Sequence, residues 1–180
     1  LRTAQRVAAR DPFFAGNVDA LIAAQPKDLE ASEIEVRLGA TWLDKKYIEQ
    51  FMYETFETPR YLRGQIEISY VPYTAEWQVS RKSMVRYNDV AAFTTYGTDR
   101  ASAYRLLEDA LNLRDIRIYD TIEDADGRER RVLNAKETTL AAQKQQLIRD
   151  AFKDWIWKDP ERRETLVRQY LSLIHISEPT

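Results

Sequence analysis

A short acidic stretch of the sequence carries the residue types that could hold a metal ion. Its acidic residues are Asp120, Glu123, Asp124 and Asp126. Hard cations prefer several carboxylate oxygens on one loop. If Gly127 took the glycine position of a calcium loop, however, Ile122 and Leu133 would fall at two essential ligand positions. Because Asp126-Gly127 is typical of a tight hairpin turn, we expect a solvated turn here and no metal site.

Basic and aromatic residues coincide in residues 60–87. This segment has five basic and two acidic residues, a net charge of +3, whereas the whole chain has a net charge of -2. Basic side chains bind phosphates and aromatic rings stack on bases. The candidate nucleic-acid-binding residues are Arg60, Arg63, Tyr73, Trp77, Arg81, Lys82 and Arg86. The alternative is a plain sheet with a solvated face, since a hairpin buries about half its rings and exposes Arg and Lys in any case.

Other catalytic chemistry finds little support in the sequence. There is no Cys, and His175 is the only histidine. No glycine-rich phosphate loop and no methylase signature occurs. We therefore expect no catalytic residue and no cofactor in this chain. Trp155 and Trp157 could form a stacking platform, but Trp155 continues the apolar stripe of its helix and is expected to be core.

Composition indicates a globular protein. The chain has 180 residues, of which 44% are hydrophobic and 31% charged, enough to bury a core. No apolar run approaches the roughly 20 residues of a membrane span, and the chain does not start like a signal peptide. With no cysteine, a reducing compartment is favoured. We expect a cytoplasmic protein without a membrane partner.

The hydrophobic pattern predicts an α+β fold: two antiparallel hairpins and one further strand, packed with about five helices. Residues 11–25 read as a short helix and residues 33–38 as a half-buried strand. Trp42 is expected to be a buried anchor between that strand and a helix that Asp44 caps. This helix runs to about Phe56 and has one apolar stripe formed by Tyr47, Ile48, Phe51, Met52 and Phe56. Hairpins are predicted over residues 65–80 and around Asp126-Gly127.

Three further helices are predicted. The first is capped by Thr98 or Asp99 and runs to about Leu113. The second begins after Asn134, is the longest element, and has one apolar face. The third follows Asp159 and carries Leu166. The predicted core face of the long helix consists of Leu140, Leu147, Ile148, Ala151, Phe152, Trp155 and Ile156.

Three stretches of the sequence resemble one protein family. They are EIEVRLGATWLDKKYIEQFMYETFETPRY (residues 33–61), AAFTTYGTDRASAYRLLEDALNLRDIRIYD (91–120) and VLNAKETTLAAQKQQLIRDAFKDWIWKDPERRETLVRQY (132–170). The chain resembles, over about residues 10–170, the region just before the ATPase motor in large helicase and adenine-specific DNA methylase proteins of bacterial conjugative elements and phages. The resemblance implies a parent protein with a DNA adenine methylase, this connecting region and a Swi/Snf-type (DEAD/DEAH) helicase core. The ATP-binding and methylase motifs would lie outside this chain.

The last ten residues, LSLIHISEPT, have a different origin in our interpretation. Their back-translation resembles a transposon-derived adapter of sequencing libraries, read through as if it were gene. We expect residues 171–180 to be a non-native tail and His175 to have no function. The remaining parts are an N-terminal helical segment (1–30), an α+β domain (31–134) and a C-terminal helical segment (135–170).

These observations favour a non-catalytic region that engages DNA and connects the methylase and helicase parts of its parent chain. One alternative is a structural spacer that docks on its own helicase core through protein contacts. An exposed apolar patch would favour that alternative. The last alternative is an independent metal-dependent nuclease built on the acidic hairpin, which lacks the His, Cys and ligand spacing that such a site requires.

Overall fold

The computed structural model describes residues 34–177, with side chains up to residue 175. Within these residues, Val36–Arg163 form one compact unit, and residues 164–177 belong to a second unit. The helix predicted over residues 11–25 lies outside the described residues. Within residues 34–177, no helix combines the length and the apolar character needed to cross a bilayer.

The described residues form an α+β fold with two antiparallel two-stranded sheets. In chain order the elements are α1 (Lys45–Thr55), β1 (Ile68–Val71), β2 (Glu76–Val79), α2 (Ala103–Leu111), β3 (Tyr119–Glu123), β4 (Glu129–Leu133), α3 (Ala135–Lys158) and α4 (Pro160–Ser177). A 3₁₀ turn at Lys82–Met84 and a π-helical turn at Ala91–Thr95 lie between β2 and α2. The predicted fold class, with two hairpins and two C-terminal helices, is confirmed.

Helix α1 forms where the sequence predicts it. The Asp44 side chain accepts a hydrogen bond from the Lys46 backbone N–H at 3.0 Å and so caps the first turn. The apolar stripe at helical spacing is buried as predicted: Tyr47, Ile48, Phe51, Met52 and Phe56.

Aromatic rings from three helical regions meet in the core of the Val36–Arg163 unit. The Phe51 ring lies 5.1 Å from the Phe152 ring of α3, in an edge-to-face arrangement. The Phe56 ring lies 5.3 Å from the Tyr104 ring of α2, also edge to face. Such pairs add about 0.5 to 1.5 kcal/mol each beyond the area that they bury. The core therefore links α1 to both α2 and α3.

The first hairpin is formed by β1 and β2 and packs against α1 and α2. Tyr70 pairs with Trp77 in the register, and their ring centroids lie 5.0 Å apart. Ile68, Trp77 and Val79 are buried. This confirms the predicted hairpin, with its turn at residues 72–75.

The second hairpin differs from the first because none of its strand residues is buried. β3 and β4 pair from Tyr119↔Leu133 to Glu123↔Glu129, and Gly127 has the positive φ of 75° that the turn requires. Ile116 and Ile118, just before β3, are buried at 2% and 3% exposure. The apolar residues that precede β3 are thus core, whereas the hairpin itself is solvated on both faces.

Helix α3 buries only part of the predicted face: Ile148, Phe152 and Ile156 are buried as predicted. Its buried residues are Ala141, Gln145, Ile148, Phe152 and Ile156. Leu140 and Leu147, which we expected in the core, are exposed. The predicted cap is confirmed, since Asn134 accepts a hydrogen bond from the Glu137 N–H at 3.0 Å.

Gln145 accounts for the difference between the predicted and the observed buried face of α3. Its side-chain oxygen accepts from Ile116 N at 3.2 Å, and its amide nitrogen donates to Arg114 O at 3.0 Å and Leu106 O at 3.4 Å. A buried glutamine with satisfied hydrogen bonds occupies a position that hydrophobic periodicity assigns to the surface.

Three local predictions need correction. Residues 34–38 bury Ile34, Val36 and Leu38 in the predicted alternation but form no strand, because no neighbouring strand pairs with them among the described residues. The cap of α2 is Ser102, not Thr98 or Asp99; the Thr98 hydroxyl instead accepts from Ala101 N at 3.1 Å in the preceding loop. Trp42 was predicted to be buried but is only half-buried, whereas its neighbour Leu43 is buried.

The junction between α3 and α4 is held by a buried arginine. Asp159 accepts from Arg162 N at 3.3 Å and caps α4. The Arg162 guanidinium lies 3.5 Å from the centre of the Trp155 ring, and it donates to the carbonyl oxygens of Trp155 and Ile156. Burial lowers the pKa of Arg162 from its ordinary value. Leu166 is buried, and the helix continues to Ser177.

Candidate nucleic-acid interface

The first hairpin brings two parts of the basic segment together at its open end. The Ser80 hydroxyl accepts from Glu67 N at 3.0 Å and donates to Gln65 O at 3.2 Å. The Ser80 N–H donates to Glu67 O at 2.9 Å. Residues 65–67 therefore lie beside residue 80, and Arg81 directly follows. The turn that contains Arg63 and the start of the loop after β2 are neighbours in space.

Two exposed arginines in this segment each precede an exposed tyrosine. Arg60 is followed by Tyr61, which is 60% exposed, and Arg86 is followed by Tyr87, which is 88% exposed. A tyrosine ring that stays this exposed is available to stack on a base or another planar group. Tyr61 and Tyr87 were not among the predicted site residues. Each of them directly follows an arginine in the sequence, and this pairing is the signal that could have identified them.

Tyr73 lies at the opposite end of the hairpin. Its side chain is 98% exposed at the tip between β1 and β2. The four residues of β2 separate the tip from the end that carries Arg81, a distance of roughly 13 Å at the usual rise of a strand. Tyr73 is thus on the surface as a binding residue requires, but away from the arginines at the other end.

The basic side chains of this segment differ in the hydrogen bonds and ion pairs that they form within the protein. Arg81 is exposed and adopts the left-handed conformation with φ 54°. Lys82 forms an ion pair with Glu108 at 2.6 Å, so its charge is largely neutralised within the protein. The Arg63 Nε donates to Thr58 O at 2.9 Å, which fixes the side chain while it remains exposed. Among the described residues, no hydrogen bond or ion pair engages the side chains of Arg60, Arg81 and Arg86.

Trp77 belongs to the core. Its side chain is 5% exposed, and both its backbone N–H and its carbonyl oxygen bond the Asn112 side chain. Base stacking requires a free ring face, which this position does not offer. Of the seven predicted residues, the structure therefore leaves Arg60, Arg63, Tyr73, Arg81 and Arg86 exposed, with Lys82 paired and Trp77 buried.

A tyrosine supports the turn that carries Arg60 and Arg63. The Tyr53 hydroxyl accepts from Gly64 N at 3.0 Å and donates to Ile66 O at 2.5 Å. Burial is the main cause that raises the pKa of Tyr53, so the hydroxyl stays protonated and keeps both bonds. The Arg63 guanidinium lies 5.9 Å from the centre of the same ring. Arg63 is thereby held in place at the protein surface.

The acidic stretch does not assemble into a metal site in the part of the chain that the structure describes. No group of three or more His, Asp or Glu side chains has a metal-binding arrangement there. Asp120 instead accepts from Arg100 at 2.7 Å and from Asn134 at 2.8 Å. The bond from Arg100 is the main cause that lowers the pKa of Asp120. Its carboxylate thus ties the start of the second hairpin to a loop and to the cap of α3.

Among known proteins, residues 37–174 match a family model described as "Domain of unknown function (DUF8437)". The matched range covers most of the chain and includes residues 171–174, the first part of the predicted tail. No curated protein and no solved structure matches the chain.

Proposed function

We propose that this chain, which belongs to the family "Domain of unknown function (DUF8437)", is a non-catalytic region that binds DNA without sequence preference. In this proposal it connects the methylase and helicase parts of a mobile-element protein in the cytoplasm. The proposed position of this chain next to a helicase motor rests on a resemblance. Residues 33–61, 91–120 and 132–170 resemble the region before a Swi/Snf-type helicase core.

One observation carries the DNA-binding part of the proposal. Exposed arginines and exposed tyrosines occur as neighbours twice within residues 60–87, as Arg60-Tyr61 and Arg86-Tyr87. Arginine neutralises phosphate charge, and a planar ring stacks on any base. Neither contact reads base identity. The expected binding is therefore weak and independent of sequence.

The proposed contact surface consists of Arg60, Tyr61, Arg63, Arg81, Arg86 and Tyr87, with Tyr73 as a more distant contact at the hairpin tip. Lys82 contributes little because Glu108 neutralises it at 2.6 Å. Because the Arg63 side chain is already held in place, binding costs less conformational entropy at this residue. A surface of this kind suits a region that must stay on DNA while a neighbouring motor moves.

Fluorescence anisotropy with labelled oligonucleotides tests this proposal on the whole chain. We expect comparable binding of duplexes with different base compositions, and a loss of binding in the variant Arg60→Ala/Arg81→Ala/Arg86→Ala. Arg117→Ala is the matched control, because Arg117 is an exposed arginine outside the segment. Equal loss in the control, or strong preference for one base sequence, would refute the proposal.

The alternative role as a docking spacer is favoured by a different observation. Leu140 and Leu147 lie two turns apart on α3 and are both exposed. Exposed apolar residues in one stripe of a helix are typical of a contact face. The variant Leu140→Ser/Leu147→Ser distinguishes the two roles: it should leave DNA binding unchanged and, for a spacer, weaken binding of the purified helicase core.

A further inference from the structure

In the described part of the chain, side chains bond at least one outward backbone group on three of the four strand edges. At β1, Ile68 N donates to Glu49 at 3.0 Å. At β2, Trp77 N donates to Asn112 at 2.7 Å and Val79 N donates to Glu108 at 2.8 Å. At β3, Tyr119 O accepts from Arg100 at 2.9 Å. Side chains that occupy outward backbone groups in this way hinder pairing with another chain.

The fourth edge, the outer edge of β4, is open. Hydrogen bonds at the two ends of the sheet, Asn134 N to Ile118 O at 2.8 Å and Asp124 N to Arg128 O at 2.9 Å, fix the phase of the ladder. Because bonded and non-bonded pairs alternate in an antiparallel sheet, the backbone groups that point away from β3 belong to Glu129, Arg131 and Leu133. No hydrogen bond to these groups is present within residues 34–177.

The charge on the two strands is unequal. β4 and the residue before it contain Arg128, Arg130 and Arg131 against Glu129, whereas β3 and the residue after it contain three acidic residues and no basic one. Val132 and Leu133, at the other end of β4, are exposed at 38% and 49%. The open edge therefore combines cations at one end with apolar side chains at the other.

We propose that the outer edge of β4 binds an extended, acidic peptide segment of a protein partner as a third strand. The partner's backbone would bond the outward groups of Glu129, Arg131 and Leu133. Its acidic residues would lie across from Arg130 and Arg131, and an apolar residue would lie across from Val132 or Leu133. Addition of a strand to an open edge is a common mode of peptide recognition.

Stability considerations support a third strand. A two-stranded hairpin without a buried face is marginal in water, and three strands are usually needed for independent stability. Arg131 already lies over the Tyr119 ring at 4.4 Å, which holds its guanidinium on one face of the sheet. Opposite charges on directly facing residues stabilise strand pairing. The inference does not depend on DNA binding, because β4 lies outside residues 60–87.

The test uses the whole chain and a capped peptide with the sequence of residues 119–124, YDTIED, which is acidic and pairs with β4 in the native hairpin. We expect the peptide to slow amide hydrogen exchange at Glu129, Arg131 and Leu133 but not at Thr121, on the edge of β3. The uncharged peptide YNTIQN should bind about tenfold more weakly. Arg130→Gln/Arg131→Gln should weaken binding of YDTIED similarly, whereas Arg117→Gln should not.

Backbone pairing is tested by changing the peptide and not the protein, so that folding is unaffected. Only every second N–H of an added strand points toward β4. N-methylation of residues 1, 3 and 5 of YDTIED and N-methylation of residues 2, 4 and 6 should therefore have unequal effects, with one set abolishing binding. Equal effects of both sets, protection on β3, absence of binding, or protection that arises without peptide because two copies of the chain associate would each overturn the proposal.

Discussion

The Asn112 side chain bonds both polar groups of the Trp77 backbone. Its oxygen accepts from Trp77 N at 2.7 Å, and its amide nitrogen donates to Trp77 O at 2.9 Å. The same amide nitrogen also donates to Glu108 O at 3.1 Å, within α2. A residue at the C-terminal end of α2 thus completes the outer edge of β2 as a neighbouring strand would, and locks the hairpin onto the helix.

Replacement of Asn112 by Ala should destabilise the protein by about 2 to 4 kcal/mol, because partly buried backbone groups of Trp77 lose their partners. Equilibrium urea denaturation measures the change. Gln146→Ala is the control, since the Gln146 side chain bonds only Asp150 at an exposed site, and it should stay within about 0.5 kcal/mol of the wild type. A comparable value for both variants would contradict the bridging role of Asn112.

Substitutions of Trp77 and Tyr73 should distinguish a role in protein stability from a role in DNA binding. Trp77→Ala removes a buried ring and should cost about 3 to 5 kcal/mol of unfolding free energy. Tyr73→Ala changes a ring that is 98% exposed and should leave stability within about 0.5 kcal/mol. Denaturation curves of the two variants provide the comparison. A stable Trp77→Ala protein with reduced DNA affinity would instead support base stacking by Trp77.

Gln145→Leu should destabilise the protein although it places an apolar side chain in the core. The variant leaves Ile116 N and Arg114 O without the partners that Gln145 provides, which we expect to cost about 2 to 4 kcal/mol. Gln143→Leu, at an exposed position of the same helix, is the matched control and should change stability by less than about 0.5 kcal/mol. If Gln145→Leu raises the urea midpoint, the interpretation of Gln145 as a hydrogen-bonding core residue is wrong.

Alkaline pH should weaken the fold through Tyr104. Burial is the main cause that raises the pKa of Tyr104 to about 12, whereas an unfolded tyrosine has a pKa of about 10. The folded state retains a proton that the unfolded state loses, so this contribution is complete below about pH 10 and is lost as the pH rises toward about 12. A difference of about two pKa units between the folded and unfolded states corresponds to about 3 kcal/mol of unfolding free energy.

The variant Tyr104→Phe isolates this effect. It leaves the buried Thr58 hydroxyl without its partner at 2.7 Å, so it should be less stable than the wild type at neutral pH. Its unfolding free energy should nevertheless fall less steeply between about pH 10 and pH 12. Urea titrations across this range measure both slopes. Parallel slopes would show that Tyr104 ionises alike in the folded and unfolded states.

Local signals predicted the elements of this fold well. The Asp44 and Asn134 caps, the stripe on α1 and both hairpins depend on residues close in sequence, where capping and periodicity act. One exception is residues 34–38, which alternate as predicted but form no strand. Another is α2, where Ser102 caps the helix and Thr98 bonds the preceding loop. Several nearby residues could have capped this helix, and only the tertiary structure selects one.

Contacts between distant residues could not be predicted in this way. Asn112 reaches Trp77 across 35 residues, and Gln145 reaches Ile116 across 29 residues. Hydrophobic periodicity places a glutamine on the surface, so α3 was predicted with Leu140 and Leu147 facing the core. The candidate site was affected likewise: charge counting included Lys82, but its pairing with Glu108 depends on how the loop after β2 meets α2.

The most direct test of the DNA-binding proposal is the salt dependence of DNA affinity, measured by fluorescence anisotropy on the whole chain. With Arg60, Arg63, Arg81 and Arg86 as up to about four phosphate contacts, the logarithm of affinity should fall with the logarithm of salt concentration at a slope of about -3 to -4. Each single Arg→Ala variant should reduce the slope by close to one unit, and Lys82→Ala should change it little. Absence of binding at low salt, or a slope unchanged in all four arginine variants, would contradict the DNA-binding proposal.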